Sequence, residues 1–321
     1  MKRLVAVLVN YRTPDLTIEA LRSLVDQLDP TRDAAVVVDN ASGDDSAVRL
    51  QEWIRESGFE SWVRLLRAEE NGGFAAGCNI AIRSTPSEHY LLLNSDAQLK
   101  PDAVARLLET AVAQPAAGLI GAVLESPEGE LQSSCFRFHS PLSELIDAAS
   151  IGPLTRLLAR WDVPLPPATG LQEADWTSFA CVLLRRAALD RIGLLDEGYF
   201  LYYEDVDLCR RARQAGWRVV CDGRARAVHH HGGSSVVPEA LRTRTRPPAY
   251  LYHSRARYYL RFYGRGGFWL ANALWSAGRP ISWMRERLFG TPRNACPGQW
   301  LDIWRTGPRE VRPRTRPAPT P

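Results

Sequence analysis

The sequence contains few lysines, no long apolar run and no closely spaced cysteine pair, and each absence excludes a class of protein. Its longest apolar runs, such as Leu119 to Leu124, are far shorter than the ~20 residues of a membrane-spanning helix. The six cysteines include no C-x-x-C pair, which argues against a zinc site or a dithiol redox motif. We therefore expect free thiols and a cytoplasmic protein. No G-x-G-x-x-G or Walker lysine motif occurs, so the common dinucleotide and P-loop classes are also excluded.

Charge is distributed unevenly along the chain. The net charge is +4, and 38 of the 40 basic residues are arginine. Residues 241–321 contain 16 arginines and three acidic residues, whereas residues 1–240 contain 24 basic and 33 acidic residues. The end of the chain is therefore basic and the rest is acidic. No DNA- or RNA-binding module is recognisable, so we expect no nucleic-acid partner.

Over the first 125 residues, short apolar runs alternate with segments of helical periodicity. The runs predict strands at 4–9, 34–38, 63–66, 90–93 and 118–123. The periodic segments predict helices that begin near Pro14 and Phe74 and that cover 46–56 and 103–113. This alternation indicates a doubly wound α/β domain, in which helices flank a mostly parallel sheet.

The rest of the chain is less regular. Residues 126–175 are rich in proline and have no clear period, which predicts an inserted, partly mobile region. Further elements are predicted at 180–184, from 186, and at 205–215, 217–221 and 225–229. We predict a catalytic domain over 1–240, a basic and aromatic helical extension over 241–308, and a disordered tail over 309–321.

Polar residues follow three of the predicted strands. They are Asn10 and Tyr11, Asp39, and Asn94 with Asp96. Ligands of open α/β sheets bind beyond the carboxyl ends of the strands, so these side chains are candidates for one shared site. A carboxylate there could hold Mg²⁺ or Mn²⁺ against a diphosphate leaving group, and Asp96 is placed for that task. Each acid alone could instead form a turn or cap a helix.

A glycine-rich loop precedes the third predicted helix. The segment from Asn71 to Asn79 includes Gly73 and Gly77 and leads directly into that helix. Glycines let the backbone approach a phosphate, and a helix N-terminus favours the negative charge. The alternative is a loop whose glycines serve helix packing or capping.

Three acids begin the helix predicted from Asp205. Glu204, Asp205 and Asp207 follow a dense aromatic run, Tyr199 to Tyr203. A carboxylate could accept the proton of an attacking hydroxyl, and an aromatic wall suits the apolar face of a sugar. Alternatively, the acids only complement the helix dipole.

Three histidines, residues 229–231, follow the last predicted strand. Imidazole binds transition metals, but consecutive side chains on a strand point to opposite faces. We therefore expect one of the three to be functional.

In this order, the motifs resemble those of glycosyltransferase family 2, particularly its rhamnosyltransferase-like branch. The matching segments are VAVLVNY, VVVDNASGD, NGGFAAGCN, LLLNSDA, FLYYEDVDLCRRARQAGW and VHHHGGSS, which together extend over residues 4–235. The resemblance implies a GT-A fold, an inverting reaction and a nucleotide-sugar donor. In many members the metal motif is D-x-D, and here its first position is Asn94.

The resemblance also implies roles for individual residues. Asp39 would lie near the donor base, and the loop from Asn71 to Asn79 would lie near the ribose and diphosphate. Asp96 would be the metal carboxylate with His230 as its partner. Asp205 would be the catalytic base, supported by Glu204. The donor would be a dTDP- or UDP-sugar, with dTDP-L-rhamnose as the leading candidate.

The acceptor and the basic extension leave alternatives open. The acceptor would be a glycan or a polyprenyl-diphosphate-linked saccharide in polysaccharide biosynthesis. The arginines and aromatic residues of 250–285 then suggest contact with the inner face of the cell membrane. Alternatively, they form helices that pack on the domain or in a homodimer. The competing functions are nucleotidyl transfer and non-catalytic binding of a nucleotide sugar.

Overall fold

The computed structural model describes residues 1–230, 236–291 and 295–307. Within them the chain forms two compact units. The first comprises Met1–Phe138, Val163–Leu195 and Asp205–Pro238, and the second comprises His139–Asp162, Asp196–Glu204 and the chain from Glu239 onward. The predicted boundary at residue 240 thus lies close to the end of the first unit. Two segments that precede residue 240, His139–Asp162 and Asp196–Glu204, nevertheless belong to the second unit.

The first unit is built around one large mixed sheet. Its strands are β1 (Lys2–Asn10), β2 (Asp33–Asp39), β3 (Val63–Arg67), β4 (Ser87–Leu93), β5 (Ala97–Leu99), β6 (Ala117–Glu125), β8 (Leu171–Ala174), β10 (Cys181–Arg185) and β11 (Arg218–His229). Along the sheet the order is β3-β2-β1-β4-β10-β6-β11-β5, and β8 pairs with β11. A small second sheet contains β7 (Cys135–Phe136) and β9 (Trp176–Thr177).

The helices of the first unit follow the predicted alternation. They are α1 (Pro14–Val25), α2 (Ser46–Glu56), α3 (Gly73–Ser84), α4 (Ala103–Ala113) and α7 (Arg186–Ile192). Helix α8 (Glu204–Gln214) starts at the boundary between the units. Apolar residues of the strands and of α1, α2 and α4 form one buried cluster, as expected for strands covered on both faces.

Strand β10 enters the sheet antiparallel to both of its neighbours. β1, β2, β3 and β4 pair in parallel, and so do β6 and β11. β10 lies between β4 and β6 with the opposite direction. A short apolar run such as 180–184 looks the same in either direction, so the sequence pattern does not reveal this reversal. β11 is also one strand with a register shift, where we predicted two strands.

The second unit is helical. It contains α5 (Pro141–Ala149), α6 (Gly152–Leu157), a 3-10 helix (Ala159–Trp161) and α11 (Gln299–Arg305). Its longest element is α10 (Ala249–Phe289), which is interrupted at Gly264. Helix α9 (Val236–Thr243) precedes it. The proline-rich region therefore contains regular elements, and α5 packs closely on α10.

The cysteines differ in their state, because two of them are bonded and four are free. Cys135 and Cys221 are joined as a disulfide with Cα atoms 6.4 Å apart, so the expectation of free thiols is wrong for this pair. The two cysteines are 86 residues apart, and only the folded arrangement brings them together. Within the described residues, no helix combines the length and apolarity that a bilayer crossing requires. The predicted disordered tail lies outside the described residues.

Candidate active site

The ends of β1 and β2 bring Asn10 and Asp39 together. The two residues are partners in the parallel register, and both are buried. The Asn10 amide donates to the Asp39 carboxylate at 2.8 Å, and the Ser42 hydroxyl donates to the same oxygen at 2.5 Å. The backbone N–H of Ser42 donates to the other carboxylate oxygen at 3.3 Å. The Asp39 side chain is therefore held both by the turn that follows β2 and by the neighbouring strand β1. The turn role that we considered as the alternative for this acid is present.

The side-chain carbonyl oxygen of Asn10 holds the turn that follows β1. Its carbonyl oxygen accepts from the Thr17 hydroxyl at 3.0 Å and from the Thr13 N–H at 3.3 Å. Tyr11 is 36% exposed, and the Arg12 guanidinium lies 5.2 Å from the centre of its ring. Asn10 therefore braces the turn internally, whereas Tyr11 presents an aromatic ring at the carboxyl edge of the sheet.

Asn71 ties the glycine-rich loop to the end of β2. Its side-chain oxygen accepts from the Asn40 amide at 2.9 Å and from the Gly73 N–H at 3.0 Å. Gly73 has φ +84°, a value that favours glycine, and α3 begins there. The loop and the start of α3 therefore lie beside the carboxyl end of β2.

Gly77 and Asn79 make structural contacts further along α3. A Cβ atom at Gly77 would lie 2.7 Å from a methyl carbon of Val9, so the missing side chain lets α3 approach β1 closely. Asn79 is fully buried, and its amide group exchanges hydrogen bonds of 2.9 and 3.2 Å with the backbone of Leu195. For Gly77 this is the packing role that we considered as the alternative. A contact of either residue with a nucleotide sugar remains a prediction.

Asp96 lies where β5 and β11 meet, and its carboxylate is 3.3 Å from the Nε2 atom of His229. Both side chains are largely buried, with 3% and 12% exposed. His229 ends β11 and pairs with Ala97, which fixes the side of the strand to which its ring points. His230, the predicted metal partner, instead donates its backbone N–H to the Asp96 carbonyl at 2.9 Å. His231 lies outside the described residues.

Asn94, the other predicted polar residue at the end of β4, is less deeply buried than Asp96. Asn94 is partly exposed, and its N–H donates to the Ala180 carbonyl at 2.9 Å. The described residues contain no group of three or more histidine, cysteine or acidic side chains that could hold a metal ion alone. Asp96 and His229 together offer one carboxylate and one imidazole. Such a set suits Mg²⁺ or Mn²⁺ when a substrate phosphate supplies further oxygens.

The start of α8 carries the three predicted acids in different surroundings. Glu204 is the first helical residue and is buried. Asp205 is half-buried and accepts from the Val206 N–H at 2.8 Å. Loss of water around the carboxyl raises the pKa of Asp205 to about 6, against the lowering effect of the backbone amides. An aspartate with this pKa is a stronger base than usual and is still largely ionised at neutral pH.

Asp207 has a different role from that suggested by its position. It is fully buried and pairs with Arg211 at 2.6 Å. The same guanidinium donates to the carbonyls of Ile192 and Leu194 at 2.7 and 2.9 Å. Asp207 thus anchors the segment that follows α7. The i, i+4 spacing of Asp207 and Arg211 was the available signal for this pair, and our prediction did not use it.

The segment immediately before α8 is strained. Tyr202 and Tyr203 both have φ +68°, a region that residues with side chains rarely adopt. The second unit holds this segment through α10, because the Ser254 hydroxyl donates to the Leu201 carbonyl at 2.9 Å and Arg257 pairs with Asp196 at 2.8 Å. Strained backbone of this kind persists only where the surroundings enforce it, and it is common beside functional residues.

Known proteins that this chain resembles are glycosyltransferases. The sequence model described as "Glycosyl transferase family 2" matches residues 5–155, slightly less than half of the chain. The chain is also similar to the N-acetylglucosaminyl-diphospho-decaprenol L-rhamnosyltransferase of Mycobacterium tuberculosis, with 28% identity over 230 residues that cover 67% of this chain and 71% of the relative. The chain is a glycosyltransferase. It resembles glycosyltransferase family 2 and, within that family, its rhamnosyltransferases.

Solved structures confirm the predicted GT-A fold. GalNAc-T7, solved with UDP, GalNAc and Mn²⁺, matches with a TM-score of 0.57 and 12% identity, covering 81% of this chain and 50% of that chain. The mannosyltransferase PcManGT of Pyrobaculum calidifontis, solved with GDP-Man and Mn²⁺, matches with a TM-score of 0.54 and 15% identity. That match covers 95% of this chain and 84% of the other. At these identities the likeness concerns the fold alone.

Proposed function

We propose that this enzyme is a family 2 glycosyltransferase that transfers a sugar with inversion from a nucleoside-diphosphate donor to a lipid-linked saccharide. The leading donor is dTDP-L-rhamnose, and UDP-sugars are the second donor class. The support is the relative from Mycobacterium tuberculosis, whose name gives an L-rhamnosyl transfer and an N-acetylglucosaminyl-diphospho-decaprenol acceptor. Such an acceptor is anchored in a membrane, so the proposal places the reaction in the cytoplasm at the inner face of the cell membrane.

The pairing of Asp96 with His229 is the observation that carries this proposal. The two residues are 133 positions apart, yet their side chains meet within 3.3 Å beside the carboxyl end of β4. We assign them to a divalent cation, Mg²⁺ or Mn²⁺, which neutralises the growing charge on the leaving diphosphate when bound. With one carboxylate and one imidazole from the chain, binding of the cation would depend on the donor diphosphate.

Asp205 is the proposed general base. Its carboxylate accepts the proton of the acceptor hydroxyl while the hydroxyl oxygen forms a bond to the anomeric carbon of the donor. The bond from that carbon to the diphosphate oxygen breaks in the same step, and attack from the opposite face inverts the anomeric configuration. The raised pKa of about 6 makes Asp205 a better proton acceptor than an ordinary aspartate. Glu204 is the proposed supporting acid.

The proposed donor contacts lie along the ends of β1 and β2. Tyr11 offers an exposed ring on which a base could stack, and Asp39 lies on the adjacent strand end. Asn71 and Gly73 place the N-terminus of α3 beside them, which favours the negative charge of a diphosphate. We assign Asn10 and Asn94 an indirect role in donor binding, in which their hydrogen bonds hold the adjacent loops in place.

The direct test is a transfer assay with matched donors. Purified protein would be incubated with Mn²⁺, a synthetic N-acetylglucosaminyl-diphospho-polyprenol and, in turn, dTDP-L-rhamnose, UDP-, dTDP- and GDP-hexoses, and released nucleoside diphosphate and glycolipid would be measured. The proposal expects one donor class to give both products in equal amounts, with inverted configuration by NMR. Glycolipid formed only from UDP- or GDP-hexoses would overturn the rhamnosyl assignment. Diphosphate release without glycolipid would overturn the acceptor assignment.

A further inference from the structure

The second segment of α10, residues 265–289, has an unusual distribution of polar and apolar residues. Surface helices normally turn their apolar face toward the protein and their charged face toward water. Here the buried side includes the polar residues Asn272 and Ser282, both fully buried. The exposed side is almost entirely apolar. We name this exposed side the outer face of α10, and its members are Gly266, Trp269, Leu270, Ala273, Ala277, Pro280, Ile281, Trp283, Met284, Arg287 and Leu288.

The outer face is continuous along the helix. Its members recur every three or four residues, which places them on one side of an α-helix over about 33 Å at ~1.5 Å per residue. Trp283, Met284 and Leu288 are 50, 56 and 71% exposed in the complete chain. A contiguous apolar face of this length on a soluble surface marks an interaction site.

The opposite side of the same segment is already occupied by the second unit. A Cβ atom at Gly278 would lie 2.8 Å from the Cβ atom of Ala148, which shows how closely α5 approaches. The Asn272 amide donates to the Ile303 carbonyl at 3.2 Å, and the Trp304 indole donates to the Ser276 hydroxyl at 3.0 Å. These contacts with α5 and α11 fix the rotation of the helix and so keep the outer face turned outward.

The charges and tryptophans around the outer face point to an anionic lipid surface. Residues 265–289 contain four arginines and one acid, Glu286, which is itself only 8% exposed and lies 3.6 Å from Arg279. Arg265 and Arg287 are exposed at the two ends of the face, and Arg287 stacks over Trp283 at 4.4 Å. Arginine and tryptophan at the margins of an apolar stripe are typical of helices that lie in the plane of a membrane interface.

We propose that the outer face of α10 docks on a bilayer that contains anionic phospholipids, with the helix lying in the interface. Trp269 is stacked on Trp304 of α11 with ring centres 5.8 Å apart, and Trp300 of α11 is 57% exposed, so α11 adds to the same aromatic margin. The apolar residues enter the acyl boundary and the arginines meet the headgroup phosphates. The inference concerns binding alone and does not require the assigned sugar donor.

The test is cosedimentation of the full-length protein with vesicles in the absence of any donor. Vesicles of phosphatidylcholine would be compared with vesicles that also contain phosphatidylglycerol. We expect binding to the anionic vesicles, with a blue shift of tryptophan fluorescence and quenching by brominated acyl chains. The test variant is the double substitution Met284→Ser/Leu288→Ser. Both side chains are exposed, so we expect the fold to be retained. We expect the partition constant of this variant to fall by roughly 10-fold or more. Val112→Ser is the matched control, because Val112 is 82% exposed on α4 and lies outside the outer face.

Three results would overturn the proposal. Wild-type protein could stay in the supernatant with both kinds of vesicle. The double variant could bind as strongly as the Val112→Ser control. Alternatively, light scattering without lipid could show a wild-type dimer that the double variant abolishes, which would assign the outer face to a second copy of the chain. None of these results bears on sugar transfer, which the donor assay measures with its own products.

Discussion

Buried or half-buried carboxylates lie both at the sheet edge near Asp39 and at the start of α8, but the groups that surround these carboxylates differ between the two regions. Asp39 accepts hydrogen bonds from Asn10 and from two groups of Ser42, so both of its carboxylate oxygens have partners within the protein. At α8, Asp207 is neutralised by Arg211, whereas burial raises the pKa of Asp205. The surroundings therefore separate a structural acid from a reactive one: Asp207 is held in an ion pair, whereas burial makes Asp205 the stronger base.

Replacing Asp205 should have the largest effect on activity. Asp205→Asn keeps the shape but cannot accept a proton, so we expect kcat to fall by about 10²–10⁴-fold with little change in donor affinity. Initial-rate kinetics and donor titration by calorimetry would measure the two quantities. Full activity in the variant would show that another group is the base.

The same substitution has a predictable effect on stability. Because the folded pKa of Asp205 is about 6 and its ordinary value is 3.8, folding favours the protonated carboxyl. The stability that the buried, protonated Asp205 carboxyl contributes is fully present below pH 3.8 and is lost as the pH rises through about 6. Asp205→Asn should therefore be more stable than wild type at pH 8, with the difference shrinking toward pH 4. Urea denaturation at several pH values would measure this, and a constant difference would contradict the assigned pKa.

Asp207 should affect stability far more than chemistry. Asp207→Ala leaves the Arg211 guanidinium without its buried counter-ion, and breaking such a pair costs about 3–5 kcal/mol of unfolding free energy. The double variant Asp207→Ala/Arg211→Ala should recover part of that loss, since no uncompensated charge remains. Urea unfolding of the three proteins is the measurement. An unchanged stability together with a large loss of kcat would place Asp207 among the reactive acids instead.

Asp96 should affect activity and metal dependence together. Asp96→Asn removes the carboxylate assigned to the cation, and we expect about a 10²–10³-fold loss of activity together with weaker saturation by Mn²⁺. Asp102→Asn is a matched control, because Asp102 is exposed at the start of α4 with φ +64°, a conformation that asparagine tolerates. Equal Mn²⁺ dependence in the two variants would contradict the metal assignment.

Much of this arrangement could be predicted from sequence, and what could not has a physical reason. Buried parallel strands read as apolar runs, so the ends at Asn10 and Asp39 and their convergence were predictable. The ring of His229 rather than His230 faces Asp96 because strand residues alternate in direction, and that choice depends on the register with Ala97. Register and strand direction arise from contacts between distant segments. For the same reason, the pairing of α5 with α10 left no local pattern.

Gly77 should give the smallest of these effects, and it tests whether the glycine-rich loop acts through packing. In Gly77→Ala the added methyl group would lie 2.7 Å from a methyl carbon of Val9, so α3 must move away from β1. We expect a loss of about 1–3 kcal/mol in unfolding free energy, as for other overpacked sites. Val9→Ala in the same protein removes the opposing methyl groups and should restore part of the stability. The single variant could instead be as stable as wild type but bind the donor more weakly. That result would assign Gly77 to the phosphate site, so that the glycines of this loop would serve the ligand rather than the contact between helix and sheet.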